Sequence, residues 1–174
     1  MSNIPFAVAD VVLPAELCPM SQTDCKNGMS ETIGPNRWGL TFHHVGLAVE
    51  NTEPATRFLA GLRYEIGPMV YDPQQNVNLR MCAHQLMPDV EIISRATGKS
   101  PLDKLLSARR EGLIYHLCYT SRNLEITLQT LEAEKELRVL TISKPKEAVL
   151  FNGRRVSFHL ITGIGLIEIL DEGL

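Results

Sequence analysis

Two stretches of the chain share one hydrophobic pattern, in which an apolar run of strand length carries a histidine near its centre. The first is LTFHHVGLAV at 40–49, with His44, and the second is GLIYHLCYT at 112–120, with His116. Each is followed within a few residues by a segment with helix-like spacing of apolar residues. A repeated strand and helix indicates a chain built from two similar halves. Histidines at equivalent positions in the two strands would then meet in one metal site.

The alternation in the first stretch is clear enough to assign two faces to the predicted strand. One face carries Val45, Leu47 and Val49, and the other carries His44, Gly46 and Ala48. His44 therefore lies on a face of small residues, which leaves room beside its ring.

The rest of each half is predicted as a helix followed by three strands. In the first half, taken as about 40–98, the helix begins at Asn51 or Thr52 and runs to about Leu62. The strands follow at 64–71, 77–82 and 90–94, and a short helix covers 100–106. In the second half, about 111–172, a strand at 113–120 precedes a helix at 124–135 and strands at 139–143, 156–161 and 165–170. Asn152-Gly153 predicts a hairpin turn.

Residues 1–39 are expected to form an irregular leader, because prolines and glycines interrupt them and no apolar period persists. The run at 6–13 is a candidate additional strand, and Trp38 is a candidate anchor for this segment. The domain that follows, made of the two halves, is expected to span 40–174.

Polar residues occupy matching positions in the two halves. Glu91 lies in the last strand of the first half, 47 residues after His44, and Glu168 lies in the last strand of the second, 52 residues after His116. A carboxylate within an apolar strand is costly unless it is paired, solvated or bound to a cation. Two imidazoles and two carboxylates from equivalent strands can converge on one divalent metal ion.

The segments FHHVGLAV, VEII followed by GKSPLDKLL, GLIYHLCY and GLIEIL resemble the vicinal oxygen chelate superfamily. This superfamily includes glyoxalase I, extradiol dioxygenases and antibiotic-resistance binding proteins, and the resemblance is strongest to the methylmalonyl-CoA epimerases. It covers about 41–171, and SPLDKLL is its most specific part. The family's metal-ligand positions fall on His44, Glu91, His116 and Glu168.

The resemblance implies an α+β fold of paired βαβββ modules, whose curved mixed sheet surrounds a cleft. It also implies one divalent metal ion, and zinc, cobalt, nickel, manganese and iron all suit mixed nitrogen and oxygen ligands. The implied reaction is isomerisation, epimerisation or lyase chemistry on a small carbonyl or acyl-thioester compound, through an enolate that the metal stabilises. Glu168 would serve as the base, and a homodimer is expected.

Other residues are candidates for substrate binding. Arg80 could hold a carboxylate or phosphate from the cleft side of its strand, Gln74 and Gln75 could orient substrate, and Tyr71 could lie at the cleft edge. Epimerases of this superfamily carry a further carboxylate on the third strand of the first half, whereas residues 76–81 contain no acid. This difference argues against a standard epimerase.

Composition narrows the class of protein. The chain has 174 residues, 44% of them hydrophobic, and a net charge of -3 without a basic cluster, so no nucleic-acid partner is expected. No apolar run is long enough to span a membrane, and the N-terminus does not resemble a signal peptide, so the expected location is the cytoplasm. The four cysteines do not form a zinc motif, and Cys82 and Cys118 are expected to pack as small apolar residues.

Two alternatives of a different class stay open. An iron-dependent ring-cleaving dioxygenase would need only His44, His116 and Glu168 as ligands, and Glu91 would be surplus. A non-enzymatic binding protein of the same fold would hold a small molecule without a complete ligand set.

Overall fold

A mixed β-sheet carries the fold of the described residues, which in this computed structural model are 36–108 and 111–173. The strands of this part of the chain are β1 (Leu40–Val49), β2 (Glu65–Ile66), β3 (Val70–Asp72), β4 (Val77–Ala83), β5 (Asp89–Arg95), β6 (Leu113–Ser121), β7 (Val139–Glu147), β8 (Arg155–Ile161) and β9 (Gly165–Asp171). The helices there are α1 (Thr52–Gly61), α2 (Asp103–Ala108), α3 (Leu124–Glu132) and a 3-10 helix (Val149–Phe151).

The strand order is β2-β4-β5-β1-β6-β9-β8-β7, and β3 pairs with the outer side of β4. β1 to β5 belong to the first half of the chain and β6 to β9 to the second, so the antiparallel β1–β6 pair is the seam between the halves. Within each half the pairs β1–β5 and β6–β9 are parallel, whereas the neighbouring pairs are antiparallel. The predicted α+β fold with a mixed sheet of paired modules is confirmed.

The two faces of the sheet have different roles. On the face that we call the helix face, Leu59 of α1 packs against Cys82 and Ile92, and Leu124 of α3 packs against Ile169. The opposite face, called the site face, carries two further apolar clusters. Their members are Ala48, Val77, Leu79, Ile93, Leu102 and Leu106 in the first half, and Cys118, Ala148, Val156 and Leu170 in the second.

Asparagine side chains cap both long helices. The side-chain oxygen of Asn51 accepts a hydrogen bond from the Glu53 amide, and that of Asn123 accepts one from the Ile126 amide. These contacts satisfy amides that have no partner within the helix. The predicted start of α1 is therefore confirmed, and α3 ends at Glu132, three residues before the predicted end at 135.

The predicted strand at 64–71 is wrong as one element, because it is divided into β2 and β3. Gly67-Pro68 separates them: the Gly67 amide still bonds the Met81 carbonyl, but proline has no amide hydrogen with which to continue the ladder. Asn152-Gly153 lies in the predicted hairpin connection between β7 and β8, and both residues have positive φ angles of 54° and 78°. The connection is longer than a two-residue turn, because it also contains the 3-10 helix. The short helix begins at Asp103 rather than at residue 100.

The leader lies mostly outside the described residues, including the predicted strand at 6–13. Trp38 is described, and it packs against the α3 cluster while its carbonyl accepts a hydrogen bond from Thr127 Oγ1. Cys82 and Cys118 are fully buried and pack in apolar clusters as predicted. Within the described ranges no helix has the length and apolar character needed to cross a membrane.

Candidate metal centre

The four residues predicted as metal ligands lie together at the seam. Nε2 of His44 is 3.3 Å from Nε2 of His116, and Oε2 of Glu168 lies 3.4 Å and 3.3 Å from these two atoms. Oε2 of Glu91 lies 3.6 Å and 3.4 Å from the same two nitrogens. Ligands placed tetrahedrally at about 2.0–2.1 Å from one ion are roughly 3.3 Å from each other. The spacing of the four side-chain tips therefore fits a single cation.

The site is buried and contains two carboxylates. The exposed fraction is 0% for His44 and 3% for Glu91, His116 and Glu168. Oε2 of Glu168 is buried without a hydrogen-bond partner, and a buried, unpaired carboxylate oxygen is expensive. Burial lowers the pKa of His44, but the Glu168 and Glu91 carboxylates more than reverse this and raise it to about 9. A positive charge at this point is thus strongly favoured, either as a proton or as a metal ion.

The ionisation of Glu168 is also consistent with a cation site at the cluster. Burial raises the pKa of its carboxyl group, but the His116 and His44 imidazoles, 3.3 Å and 3.4 Å from Oε2, outweigh burial and leave the pKa below its usual range. Glu168 is therefore ionised at neutral pH, in the form that binds a cation or accepts a proton.

Strand register places the ligands in the same way in each half. In the parallel β1–β5 pair, Glu91 lies opposite Gly46, two residues after His44. In the parallel β6–β9 pair, Glu168 lies opposite Cys118, two residues after His116. Across the seam His44 pairs with Cys118, and His116 pairs with Gly46. The site therefore has an approximate twofold arrangement, with one imidazole and one carboxylate from each half.

Gly46 supplies the space that the sequence predicted on this face. A Cβ atom at residue 46 would lie 2.4 to 2.6 Å from three atoms of the His116 ring. No side chain larger than hydrogen fits there unless the imidazole moves.

His43 contacts the neighbouring ligand candidate His44 and so lies at the edge of the site. The β1–β6 register shifts between Phe42 and His44, and Nδ1 of His43 lies 2.7 Å from Nδ1 of His44. Burial, and then the charge of His44, lower the pKa of His43. A neutral His43 can accept the Nδ1 hydrogen of His44, which leaves the Nε2 lone pair of His44 directed at the four-residue cluster.

Aromatic rings enclose the cluster. The Phe151 ring is stacked on His44 with centroids 5.8 Å apart, and Tyr115 and Phe158 lie 5.5 Å and 5.7 Å from His116. Rings at these positions exclude water, which strengthens electrostatic interactions within the site.

Two adjoining cavities lead from the cluster toward solvent. The inner cavity has a volume of about 20 Å³, and its lining includes Glu91, His116 and Glu168. The outer one, with about 370 Å³, is lined by Ile142, Ser143 and Lys146 among others. Both cavities share a set of lining residues, namely Asp72, Gln75, Pro101, Tyr115 and Phe158. A small organic molecule can therefore occupy the outer space while one end reaches the cluster.

The predicted glutamines lie at this path. Gln75 lines both cavities, and its side-chain amide donates a hydrogen bond of 3.0 Å to Oδ2 of Asp72. Gln74 lines the outer cavity and donates to the Glu147 carbonyl. Tyr71 is not among the residues that line either cavity: its side chain is 52% exposed, and its hydroxyl donates to the Asn76 side chain.

The structure places Arg80 on the helix face, which corrects the prediction that it lies on the cleft side. Val77 and Leu79 of β4 point to the site face, so alternation turns Arg80 toward α1. Its guanidinium donates a hydrogen bond of 3.3 Å to Oγ1 of Thr56 in α1. From this position Arg80 cannot reach a ligand in either cavity.

Sequence reasoning missed two residues that line the path. The sequence patterns assign no site role to Asp72 or Tyr115, yet both border the inner cavity. A sequence signal exists for Tyr115, because it directly precedes His116. For Asp72 the only signal is an acid at the end of a strand that precedes a turn.

Residues 43–158 match the sequence model of the glyoxalase/bleomycin resistance protein/dioxygenase superfamily. No protein among those with curated descriptions matches the chain.

Several solved structures share the fold. A hypothetical protein from Bacillus halodurans is 22% identical with a TM-score of 0.63, and the match covers 76% of this chain and 94% of that one. Methylmalonyl-CoA epimerase from Mycobacterium tuberculosis is 18% identical with a TM-score of 0.61, covering 75% and 86%. A variant of the Streptomyces coelicolor methylmalonyl-CoA epimerase, in complex with 2-nitronate-propionyl-CoA, is 19% identical with a TM-score of 0.60, covering 76% and 97%.

Proposed function

Because the chain belongs to the glyoxalase/bleomycin resistance protein/dioxygenase superfamily, we propose that it is a metal-dependent isomerase, epimerase or lyase that acts on a small carbonyl or acyl-thioester compound. The observation that carries the proposal is the buried cluster of two imidazoles and two carboxylates beside a cavity of ligand size. The acyl-thioester class is supported by structural neighbours that are methylmalonyl-CoA epimerases.

His44, Glu91, His116 and Glu168 would hold one divalent cation. When bound, such a cation supplies Lewis acidity to substrate oxygens and makes a neighbouring C–H bond more acidic. Four buried ligands exceed the three that a dioxygenase needs, and a binding protein without catalysis would not need the complete set. These points favour the enolate-forming enzyme over both alternatives.

The protein's own residues would position the substrate and move the proton. Glu168 is ionised and borders the inner cavity, so it is the candidate acceptor for a proton next to a carbonyl group. Tyr115 keeps its proton, because burial and then the Glu168 charge raise its pKa. Its hydroxyl can therefore donate a hydrogen bond to a substrate oxygen. Phe151 and Phe158 would exclude water from the reacting atoms.

The test is metal content together with proton exchange. Elemental analysis of the untagged wild-type protein should give about one divalent ion per chain, and Glu168→Gln should reduce it. Glu132→Gln is the matched control, because it makes the same chemical change on an exposed position of α3. The metal-loaded wild type should also exchange the proton next to the thioester of methylmalonyl-CoA for deuterium in deuterium oxide. Wild-type protein that takes up no metal after reconstitution with several divalent ions would contradict the proposal and favour a binding protein.

A further inference from the structure

Asp72 is a carboxylate with no assigned role at the junction of the two cavities. It ends β3, its exposed fraction is 3%, and it lines both the inner and the outer cavity. Its Oδ1 accepts hydrogen bonds from the Gln74 and Gln75 amides at 2.7 Å and 3.2 Å, and its Oδ2 accepts one from the Gln75 side chain at 3.0 Å. The two backbone amides of the turn thus fix Oδ1, whereas Oδ2 accepts one hydrogen bond and can accept another.

Asp72 and Glu168 approach the inner cavity from different parts of the sheet. β3 pairs with β4, and the strands β4, β5, β1 and β6 separate it from β9, which carries Glu168. Both residues nevertheless line the same cavity. The sheet therefore curls around this space and presents one carboxylate at each end of the intervening strands.

The site face of β4 carries no acidic side chain. Its residues there are Val77, Leu79 and Met81, and Leu79 and Val77 line the inner cavity. Among the described residues that line this cavity, the carboxylates are Asp72, Glu91 and Glu168. Glu91 belongs to the cluster at the seam, so Asp72 is the one carboxylate that borders the cavity outside the four-residue cluster.

Inversion at a carbon atom next to a carbonyl group requires proton removal on one face and proton delivery on the other. We propose that Asp72 is the second proton-transfer residue, opposite Glu168, so that the protein inverts its substrate with two carboxylates. This inference rests on the proposed function. In one direction the ionised Glu168 carboxylate takes the proton from one face, and the electron pair of the broken C–H bond moves into the carbonyl group. Asp72, which carries a proton at the start of this direction, then delivers that proton to the other face, and the reverse direction exchanges the two roles.

Gln75 would position Asp72 for this step. Its side-chain amide donates to Oδ2, which orients the side chain of Asp72 toward the cavity that both residues line. Both residues line the outer cavity as well, so a substrate entering from there passes them before it reaches His116.

A purely structural role for Asp72, as the acceptor that fixes the turn at 73–76, makes the opposite prediction for two substitutions. Asp72→Asn keeps an oxygen that accepts the two amide hydrogens but cannot take a proton. Asp72→Glu keeps a proton acceptor but alters the turn. A proton-transfer role therefore predicts more activity in Asp72→Glu than in Asp72→Asn, and a turn role predicts that only Asp72→Glu is impaired.

The experiment follows one enantiomer of methylmalonyl-CoA in deuterium oxide with metal-loaded protein, recording deuterium uptake by mass spectrometry and inversion by chiral analysis. Asp72→Asn should slow inversion by about 10²-fold or more, while deuterium uptake through Glu168 continues for the enantiomer that presents its proton to that side. Metal content and the midpoint of thermal unfolding should stay at wild-type values. Asp103→Asn is the control, because Asp103 also accepts a backbone amide hydrogen, from Ser100, but lies outside both cavities.

Inversion at the wild-type rate in Asp72→Asn would overturn the inference and leave the proposed function intact. So would an Asp72→Glu protein that is slower than Asp72→Asn. Wild-type protein that binds metal but exchanges no proton of the thioester would overturn the thioester chemistry and this inference together.

Discussion

His116 lies directly across the β1–β6 seam from Gly46, and its imidazole ring occupies the space that any side chain at residue 46 would need. The glycine is therefore part of the site although it offers no ligand atom. This contact also connects the hydrophobic pattern of β1 with the position of a ligand in β6.

We expect Gly46→Ala to displace the His116 ring and to weaken metal binding at least about 10-fold, as do other changes in residues that orient ligands. Overpacking should also cost about 1–3 kcal/mol of unfolding free energy. Metal affinity can be measured by competition with a chromophoric chelator. Gly61→Ala is the matched control, because a Cβ there meets no atom within 4 Å. Wild-type affinity in Gly46→Ala would contradict the tight packing of this pair.

The contact between His43 and His44 gives a second prediction. If His43 fixes the hydrogen of His44 on Nδ1, His43→Leu should weaken metal binding by about 10- to 100-fold without loss of the fold. His43→Gln, whose side-chain oxygen can still accept a hydrogen bond, should retain more affinity than His43→Leu. The same chelator competition separates the two variants, and equal affinities would show that His43 does not orient His44.

Arg80 gives a prediction that reverses the expectation from sequence. Because its guanidinium bonds Thr56 on the helix face, Arg80→Ala should lower the unfolding free energy by about 1–2 kcal/mol. Metal content and proton exchange should remain unchanged. Urea unfolding of Arg80→Ala, Thr56→Val and the double variant tests the contact, since the two losses should not add. A selective loss of substrate binding in Arg80→Ala would contradict this placement.

The burial of His159 leads us to expect that the free energy of unfolding falls at acidic pH. Its side chain is fully buried on the helix face, with Thr141 Oγ1 at 3.2 Å and Ser157 Oγ at 2.9 Å, and burial lowers its pKa in the folded protein. The unfolded chain then binds more protons than the folded one as the pH falls below about 6.5. Stability should therefore be retained above pH 6.5 and lost below it.

The measurement for His159 is urea unfolding of metal-free protein at pH 7.5 and pH 5.5. His159→Gln should show a smaller difference between the two values than the wild type, whatever its stability at pH 7.5. An identical pH dependence in both proteins would show that His159 does not contribute to the loss of stability in acid.

Periodicity was a good guide wherever a long strand has one buried face. The pattern around His44 and His116 placed both strands, and it gave the correct face for His44 because successive side chains of a strand point to opposite faces of the sheet. The matching register of Glu91 and Glu168 follows from the repeat itself.

Other positions depend on geometry that periodicity does not describe. In β4 both faces are buried to a similar degree, so the letters VNLRMC do not say which face carries Arg80. The direction of Asp72 depends on the turn that follows it, and that of His43 depends on a register shift in β1. Gly67-Pro68, by contrast, was a readable signal that the strand at 64–71 is divided.

The seam between β1 and β6 joins residues that are far apart in the chain, and each side of it holds half of the cluster. A partly folded chain with one half formed has one imidazole and one carboxylate, which is too few to hold an ion tightly. Binding energy would therefore be gained only after both halves have paired. A bound ion would raise the unfolding free energy of both halves together, so that two small modules melt in a single cooperative transition.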